Sequence, residues 1–484
     1  MSDALDGLEP EVVWARFGEL TRIARPPREE EAARDHVLAW AAGRGLEGAT
    51  DGGGNVVIRV PASPGRDGAP TVVLQSHLDM VCERDPGSPY DPRAGRIHVV
   101  REGDWVLAEG TTLGADDGIG VATAMAIAED AAIEHGPLEL LFTVCEEEGL
   151  EGAKALDQSL VSGRILLNLD GTSDDAITIG CAGSAHTFVR TGLRAERPDG
   201  DLVTLRVAVS GARGGHSGGD IASGRANAIE VLGGVLRGVF VQAPFGLVRL
   251  AGGVSRNAIP RTAEAVVALP SAGERSFREA ARHSFEAIRA EYAETDGDVS
   301  LSIDETGGAQ PSDEASTRHV LDLLAVIPVG VVAMSTAAPA TVETSTSLNV
   351  ATTEDGVVTL ASMSRSSDRA ALDGVVETIE RAGRTHGAEI EVKRSYPPWE
   401  PDRDSNLLAA ARSTYERLFA VAPGLEVVHG GLECAVLGSK LPGVEMIALG
   451  PRIEGPHAPN ERVSVASTRR FYRLLGGLLG DLSS

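Results

Sequence analysis

The chain is poor in lysine. Of its 44 basic residues only Lys154, Lys393 and Lys440 are lysine; the others are arginine. Basic residues are outnumbered by 70 acids, which leaves a net charge of −26. So acidic a surface repels phosphate backbones, which argues against nucleic acid as a partner, and it suits cations. Cysteine is also scarce. Cys82, Cys145, Cys181 and Cys434 stand far apart and form no CxxC pair. This argues against a disulfide framework and fits reduced thiols in a reducing compartment. No apolar stretch reaches the roughly 18 uncharged residues that a membrane span needs. The longest, residues 320–334, is interrupted by Asp322. The opening residues, MSDALDGLEPE, lack the basic and apolar regions of a signal peptide. A cytoplasmic protein with no membrane partner is expected.

What is present is a repeated design. The run TVVLQSHLDMVCE, residues 71–83, begins as a buried strand over 71–74 and ends in His77-Leu78-Asp79. Residues i and i+2 of a strand share a face, so His77 and Asp79 point together. A histidine with a carboxylate beside it is a metal ligand with its orienting partner, or else a satisfied histidine at a sheet edge. LELLFTV, residues 138–144, is a second apolar strand and runs into Cys145-Glu146-Glu147-Glu148. Three acids there repel one another unless a cation gathers them. ILLNLD, residues 165–170, repeats the pattern and ends in Asp170. Between these lies GTTLGADDGIG, residues 110–120, a glycine-rich loop opening into a helix over 121–129. It lacks the GKS or GKT ending of a phosphate loop, and its glycines let Asp116 and Asp117 project inward. Helices are expected over 11–24 and 29–42, and a strand pair over 99–109. Strands interleaved with helices predict an α/β fold with a mainly parallel sheet flanked by helices.

From about residue 187 the texture changes to α+β. A strand is expected over 202–210, a strand and turn over 248–260, a hairpin from 346–352 and 357–364, and helices over 227–239, 277–295, 313–324 and 370–385. This reads as two halves, 187–300 and 301–395. After Pro397-Pro398 the α/β pattern returns, with a helix over 406–419, a strand over 444–449, a loop bearing His457 and a closing helix over 465–479.

His77, Asp116, Glu147, Asp170 and His457 are five oxygen and nitrogen donors. Two histidines and three carboxylates suit two divalent ions with one carboxylate shared, and without cysteine they favour Zn2+, Mn2+ or Co2+. Two such ions polarise a carbonyl and activate water together. Glu146, beside a ligand, is the natural general base. If His457 meets Asp170, the stretch between them is looped out. The chain then has a discontinuous catalytic domain, 1–186 and 396–484, with an inserted lid over 187–395.

The motifs SHLDMVCE, GTTLGADDGIG, EEEGLEGA, NLDGT, GGHSGGDI, RNAIPR, HGGLEC and GPHAPNERV, in this order, resemble those of the M20 family of metallopeptidases. Within that family they are most similar to the bacterial aminoacyl-histidine (Xaa-His) dipeptidases, or cytosol non-specific dipeptidases. The resemblance spans nearly the whole chain and implies a di-zinc dipeptidase acting on Xaa-His and other dipeptides. It implies that His77 and Asp170 hold one zinc, that Glu147 and His457 hold the other, and that Asp116 bridges them. Asp79 would orient His77, and Glu146 would activate the water and return its proton to the leaving amine. A cis peptide is implied between Asp116 and Asp117. In the lid, His216 resembles the histidine that stabilises the oxyanion. Asn257 and Arg365 resemble residues that hold the substrate backbone and its C-terminal carboxylate. Gly431 and Glu433 lie where the free amine or the carboxylate is held. Two positions depart from the pattern. Asp117 stands where close relatives often have Asn and adds an acid beside the metals, and Cys145 stands where they often have Asp.

Other readings remain open on the sequence. The same scaffold serves aminoacylases, deacetylases and wider aminopeptidases. A non-catalytic metal-binding protein would have lost Glu146 or a ligand, and this chain keeps them all. A thiol hydrolase would use Cys145 or Cys434 with His429. The assembly expected is a homodimer, although a lid this large could replace a partner subunit.

Overall fold

The computed structural model describes residues 3–196, 200–308, 310–336 and 341–484. They form two compact units. One comprises Met1–Cys181, Trp399–Val428 and Leu432–Ser484, and the other comprises Ala182–Pro398 and His429–Gly431. The chain leaves the first unit after Cys181 and re-enters it at Trp399, against edges of 186 and 396 read from the sequence. The exit and re-entry points are clasped together, since Cys181 and Trp399 exchange two backbone hydrogen bonds at 3.0 and 3.1 Å.

The first unit is built on an eight-stranded sheet. Its centre is four strands in the order Leu138–Thr143, Val72–His77, Ile165–Asn168 and Glu445–Ala448, each parallel to the next. Every residue of Val72–His77 and Leu138–Thr143 is buried, which explains why these strands read as continuous apolar runs without alternation. Antiparallel strands Val56–Val60 and Glu47–Thr50 extend one edge, and Ala176–Cys181 with Gly424–Val428 completes the other. Because the central strands are parallel, their C-terminal ends coincide. His77 lies opposite Thr143, and Gln75 lies opposite Asn168. An open α/β sheet carries its ligands at that edge.

Two local features matter for the site. Helix Ala115–Glu129 is buried almost all round and packs on Val72–His77 and on helix Glu11–Leu20. It starts earlier than the helix expected at 121. Asp116 and Asp117 interrupt its first turn with non-helical ψ angles of 110° and 31°, and the peptide between them is cis. His457 sits in the loop of a hairpin, Ile453–Glu454 with Arg462–Ser464. This hairpin joins Trp105–Ala108 and Val99–Glu102 in a separate four-stranded antiparallel sheet.

The second unit is one antiparallel sheet with helices. Its strands run in the order Ser300–Glu305, Leu202–Ser210, Ala263–Pro270, Gly246–Gly252, Val342–Glu354, Val357–Ser366, Gly183–Gly192 and Glu389–Tyr396. Gly330–Met334 pairs onto Val342–Glu354 off this path. The order keeps the strands of 202–305 on one side and those of 342–396 on the other, and one strand crosses between them. Gly183–Gly192, which precedes all the others, lies between Val357–Ser366 and Glu389–Tyr396. The two ends of the sheet join through a single residue pair, Gly252 opposite Ala351. Strand neighbours are chosen by which faces can be buried together, which proximity along the chain does not reveal. Among the described residues no helix is long and apolar enough to cross a membrane.

Candidate metal centre

Three strand ends of the first unit converge with a helix start and the hairpin loop of His457. His77 ends one central strand, Glu146 and Glu147 follow the next, and Asp170 follows the third. Asp116 comes from the interrupted helix start. The carboxylate of Asp116 faces two ways: Oδ1 lies 3.0 Å from His77 Nε2, and Oδ2 lies 3.2 Å from His457 Nε2. Asp170 Oδ1 lies 3.9 Å from the same nitrogen of His77, and Glu147 Oε2 lies 3.0 Å from the same nitrogen of His457. Two groups result, His77–Asp116–Asp170 and Asp116–Glu147–His457. In each, the donor atoms lie within 4.8 Å of one another, and Asp116 is common to both. A third overlapping group, His77–Glu146–Glu147, brings Glu146 to the same place.

The electrostatics of this cluster call for a cation. Burial pushes Glu146 and Asp170 well above the usual carboxylate range, and neighbouring acids, Asp116 among them, push both further. Burial and Asp116 raise Glu147 in the same direction. Asp116 runs the other way. Burial opposes its ionisation, but contacts with His457 and His77 outweigh it and hold the carboxyl low. Burial likewise opposes charge on the two imidazoles, yet Asp116 and Asp79 hold His77 well above its ordinary value. Asp116 and Glu147 push the half-exposed His457 up to about 11. Among the described residues, His77 and His457 are the only ion-pair partners of these four acids within 4.0 Å. Glu147 Oε1 is buried and has no hydrogen-bond partner. Clustered carboxylates with an orphaned oxygen fit a multiply charged cation, and donors without sulfur suit Zn2+, Mn2+ or Co2+.

Supporting contacts hold the loops in place. Asp79 is fully buried. Its two oxygens accept hydrogen bonds from the amides of Glu146 at 3.0 Å and Glu147 at 3.1 Å. Its contact with His77 Nδ1 is 3.3 Å and misses hydrogen-bond geometry, so Asp79 positions the Glu146–Glu147 loop at least as firmly as it orients the ring. Glu30 accepts from the amide of Cys145 at 2.8 Å. Glu148, the third acid of the run, turns away and pairs with Arg28 at 2.7 Å. Asp117 also turns away from the ligands. Its Oδ2 accepts from the backbone amide of His77 at 3.2 Å, and burial lifts its carboxyl to about 8. The expected extra acid beside the metals is thus an interior carboxyl bound to a strand end.

Glu433 is completely buried. Its Oε2 accepts from Gln75 Nε2 and Thr143 Oγ1, each at 2.5 Å, while Oε1 has no partner. Burial raises its carboxyl to about 7. The thiol-hydrolase alternative loses its nucleophiles, since burial pushes Cys145 up to about 11 and Cys434 well above its usual range.

The second unit gathers most of the remaining candidates. Arg365 is 4% exposed and makes no ion pair with an acid among the described residues, and its Nε has no partner. Its Nη2 lies 3.4 Å from His216 Nε2, and its Nη1 lies 3.5 Å from the Tyr396 hydroxyl. Ser345 and Ser184 flank it on the neighbouring strands, and Ser345 Oγ meets His429 Nε2 at 2.7 Å. A buried guanidinium among hydroxyls and imidazoles, with no acid, has the chemistry to receive an anion. Asn257 is exposed, and its backbone carbonyl accepts from Ser217, next to His216. Gly431 lies against the Tyr396 ring, so closely that a Cβ there would sit 2.5 Å from the hydroxyl.

Sequence reasoning passed over Arg25, Gln75, Thr143 and Glu461, all of them buried. Glu461 had a signal, because it stands four residues after His457 within GPHAPNERV. Arg25 had none beyond its place before Pro26-Pro27.

The chain is 35% identical over 479 residues to a protein of Escherichia coli (strain K12) named cytosol non-specific dipeptidase, covering 99% of each. Its structure matches that of an aminoacylhistidine dipeptidase from Vibrio alginolyticus with a TM-score of 0.86 and 34% identity, over 98% of this chain and 97% of the other. An aminopeptidase from Bacillus cereus shares the fold, with a TM-score of 0.58 at 17% identity, over 99% of this chain and 100% of the other. Residues 73–481 match the family described as Peptidase family M20/M25/M40, and the chain belongs to that family.

Proposed function

We propose that this protein hydrolyses the peptide bond of dipeptides, Xaa-His and others, using two divalent ions, Zn2+ first among them. The observation that carries this reading is the two-faced carboxylate of Asp116, with His77 and Asp170 on one side and His457 and Glu147 on the other. His77, Asp170 and Asp116 would hold one ion, and Glu147, His457 and Asp116 the other. Bound there, the ions would polarise the scissile carbonyl and make water acidic enough to attack near neutral pH. Glu146 accepts a proton from the attacking water as its oxygen bonds to the carbonyl carbon. It then gives that proton to the nitrogen as the C–N bond breaks, so the amine leaves neutral. The burial that raises Glu146 suits a group that must hold a proton between two steps. His216 would donate to the oxyanion. Arg365 would grip the terminal carboxylate, with Asn257 and Gly431 lining the bound backbone. The name of the E. coli relative supports both the dipeptide substrate and a cytosolic location.

Glu433 is the residue that separates dipeptidase from aminoacylase. Its orphaned, buried oxygen matches a substrate α-ammonium, which supplies both a donor and a positive charge. An N-acetylated substrate supplies neither the charge nor a second donor. We expect a free dipeptide to exceed its N-acetyl form in kcat/KM by about 10–100-fold, the worth of one charged hydrogen bond. Faster turnover of the acetylated compound would instead establish an acylase. Arg365→Ala should raise KM for a dipeptide by about 10–100-fold and lower kcat less, because a bidentate grip is lost from ground and transition state alike. An unchanged KM would take the carboxylate elsewhere.

A further inference from the structure

We propose that Glu461 is the positioning residue for Asp116, the carboxylate that both halves of the metal centre share, and that Arg25 completes the same clamp. This rests on the reading of Asp116 as the shared ligand. Glu461 is 1% exposed and pairs with no Arg or Lys among the described residues. Its carboxylate is spent entirely on backbone. Oε2 accepts from the amides of Leu113 at 2.8 Å and Gly114 at 3.0 Å, and Oε1 accepts from Ala115 at 2.8 Å and Asp116 at 3.2 Å. Four consecutive amides, ending at Asp116 itself, therefore converge on one side chain. Such a set of exposed donors at a helix start stabilises a carboxylate, and the carboxylate in turn fixes the backbone that supplies them.

Arg25 holds the complementary groups. It is also 1% exposed. Its Nη2 donates to the carbonyl of Gly114 at 2.6 Å, and its Nη1 donates to the carbonyls of Leu78 at 2.9 Å and Asp79 at 2.8 Å. The segment before Asp116 is thereby tied on one side to the residues just past His77, and on the other to the loop that bears His457. Each oxygen of Asp116 must meet a different histidine. A turn of this segment that kept one contact would lose the other, so the clamp sets the spacing of the two halves. Neither Glu461 nor Arg25 reaches the cluster itself, so both act through the ligands.

Glu461→Gln keeps the shape but turns an amide NH2 toward two of the four N–H donors. The test is titration of the metal-stripped variant with Co2+, followed by its visible absorption, and with Zn2+ against a chromophoric chelator. We expect two ions per chain in the wild type. In Glu461→Gln we expect an altered cobalt spectrum and a fall in affinity for at least one ion of about 10–100-fold, the usual effect of removing a partner behind a ligand. Asn460→Gly, which loses a side-chain contact to Gly110 and keeps the left-handed backbone of that position, should leave both readouts unchanged. Should Glu461→Gln not fold, Arg25→Lys, which cannot span three carbonyls, is titrated in its place with the same expectation. A lowered melting temperature with wild-type affinity and spectrum would make Glu461 merely structural and overturn the inference. A wild type that binds no pair of ions would instead overturn the metal reading beneath it.

Discussion

Glu146→Gln is expected to remain folded, to bind metal as the wild type does, and to lose about 10²- to 10⁴-fold in kcat with little change in KM. The contacts of Glu146 set this outcome. Its backbone amide is held by Asp79, and that bond survives the substitution. Among the described residues its carboxylate accepts no hydrogen bond, so glutamine strands no donor and no folding penalty follows. The Glu146 carboxylate is also absent from both groups centred on Asp116, so metal affinity should hold. What glutamine cannot do is take a proton from water and return it to nitrogen. Steady-state kinetics beside metal analysis of the same preparation would decide the matter. Wild-type turnover in Glu146→Gln would remove Glu146 from proton transfer and leave Asp116 or Asp170 to be tested next.

Stripping the metal should abolish turnover and destabilise the protein, and the destabilisation should grow as pH rises. Glu146, Asp170 and Glu147 are all raised, by burial first and by neighbouring acids, Asp116 among them, second. Their unfolded counterparts release protons near pH 4. Above about pH 4 the stripped folded state therefore binds more protons than the unfolded chain, and its stability falls as pH increases. His77 and His457 act in the same direction. Their raised values add stability that is complete below about pH 6.5 and is lost as pH climbs toward their folded values, about 11 for His457. Asp116 and Asp79 oppose the trend, since their contacts with the histidines outweigh burial and hold both carboxyls low, which favours the folded state above the ordinary carboxylate range. Bound cations replace those protons, so the loaded protein escapes the slope. At a free metal concentration about 1,000-fold above the dissociation constant the gap is roughly 4 kcal/mol for each bound ion. Thermal melts with and without chelator at pH 5.5 and 8 measure it. Equal melting temperatures at pH 8 would mean that the cluster is stable without a cation.

The two expectations draw on different kinds of information. The strand-end residues could be read directly. His77, Glu146, Glu147 and Asp170 each follow a short, mainly apolar run, and a parallel sheet brings such ends to one edge whatever the remaining topology. The loops were harder, because a side chain's direction there depends on a partner distant in sequence. Glu146, Glu147 and Glu148 are consecutive and alike, yet Arg28 draws only the last one outward. Asp116 and Asp117 are alike too, yet only Asp116 faces the histidines, while Asp117 binds the amide of His77. The second unit yielded least. Its antiparallel strands alternate legibly, but their order places Gly183–Gly192 among strands far along the chain.

Hydrophobic periodicity and motif spacing were thus enough for the α/β class and for singling out His77, Asp116, Glu147, Asp170, His457 and Glu146, which the structure brings together. These follow from local chemistry, namely apolar strands that must be buried and acids that cannot be buried unpaired. The orientation of Asp116 between two histidines, the clamp of Glu461 and Arg25 on its loop, and the seat of Glu433 between Gln75 and Thr143 rest on contacts between segments up to several hundred residues apart. Those contacts exist only once the sheet has brought its ends together, and no local pattern in the chain encodes them.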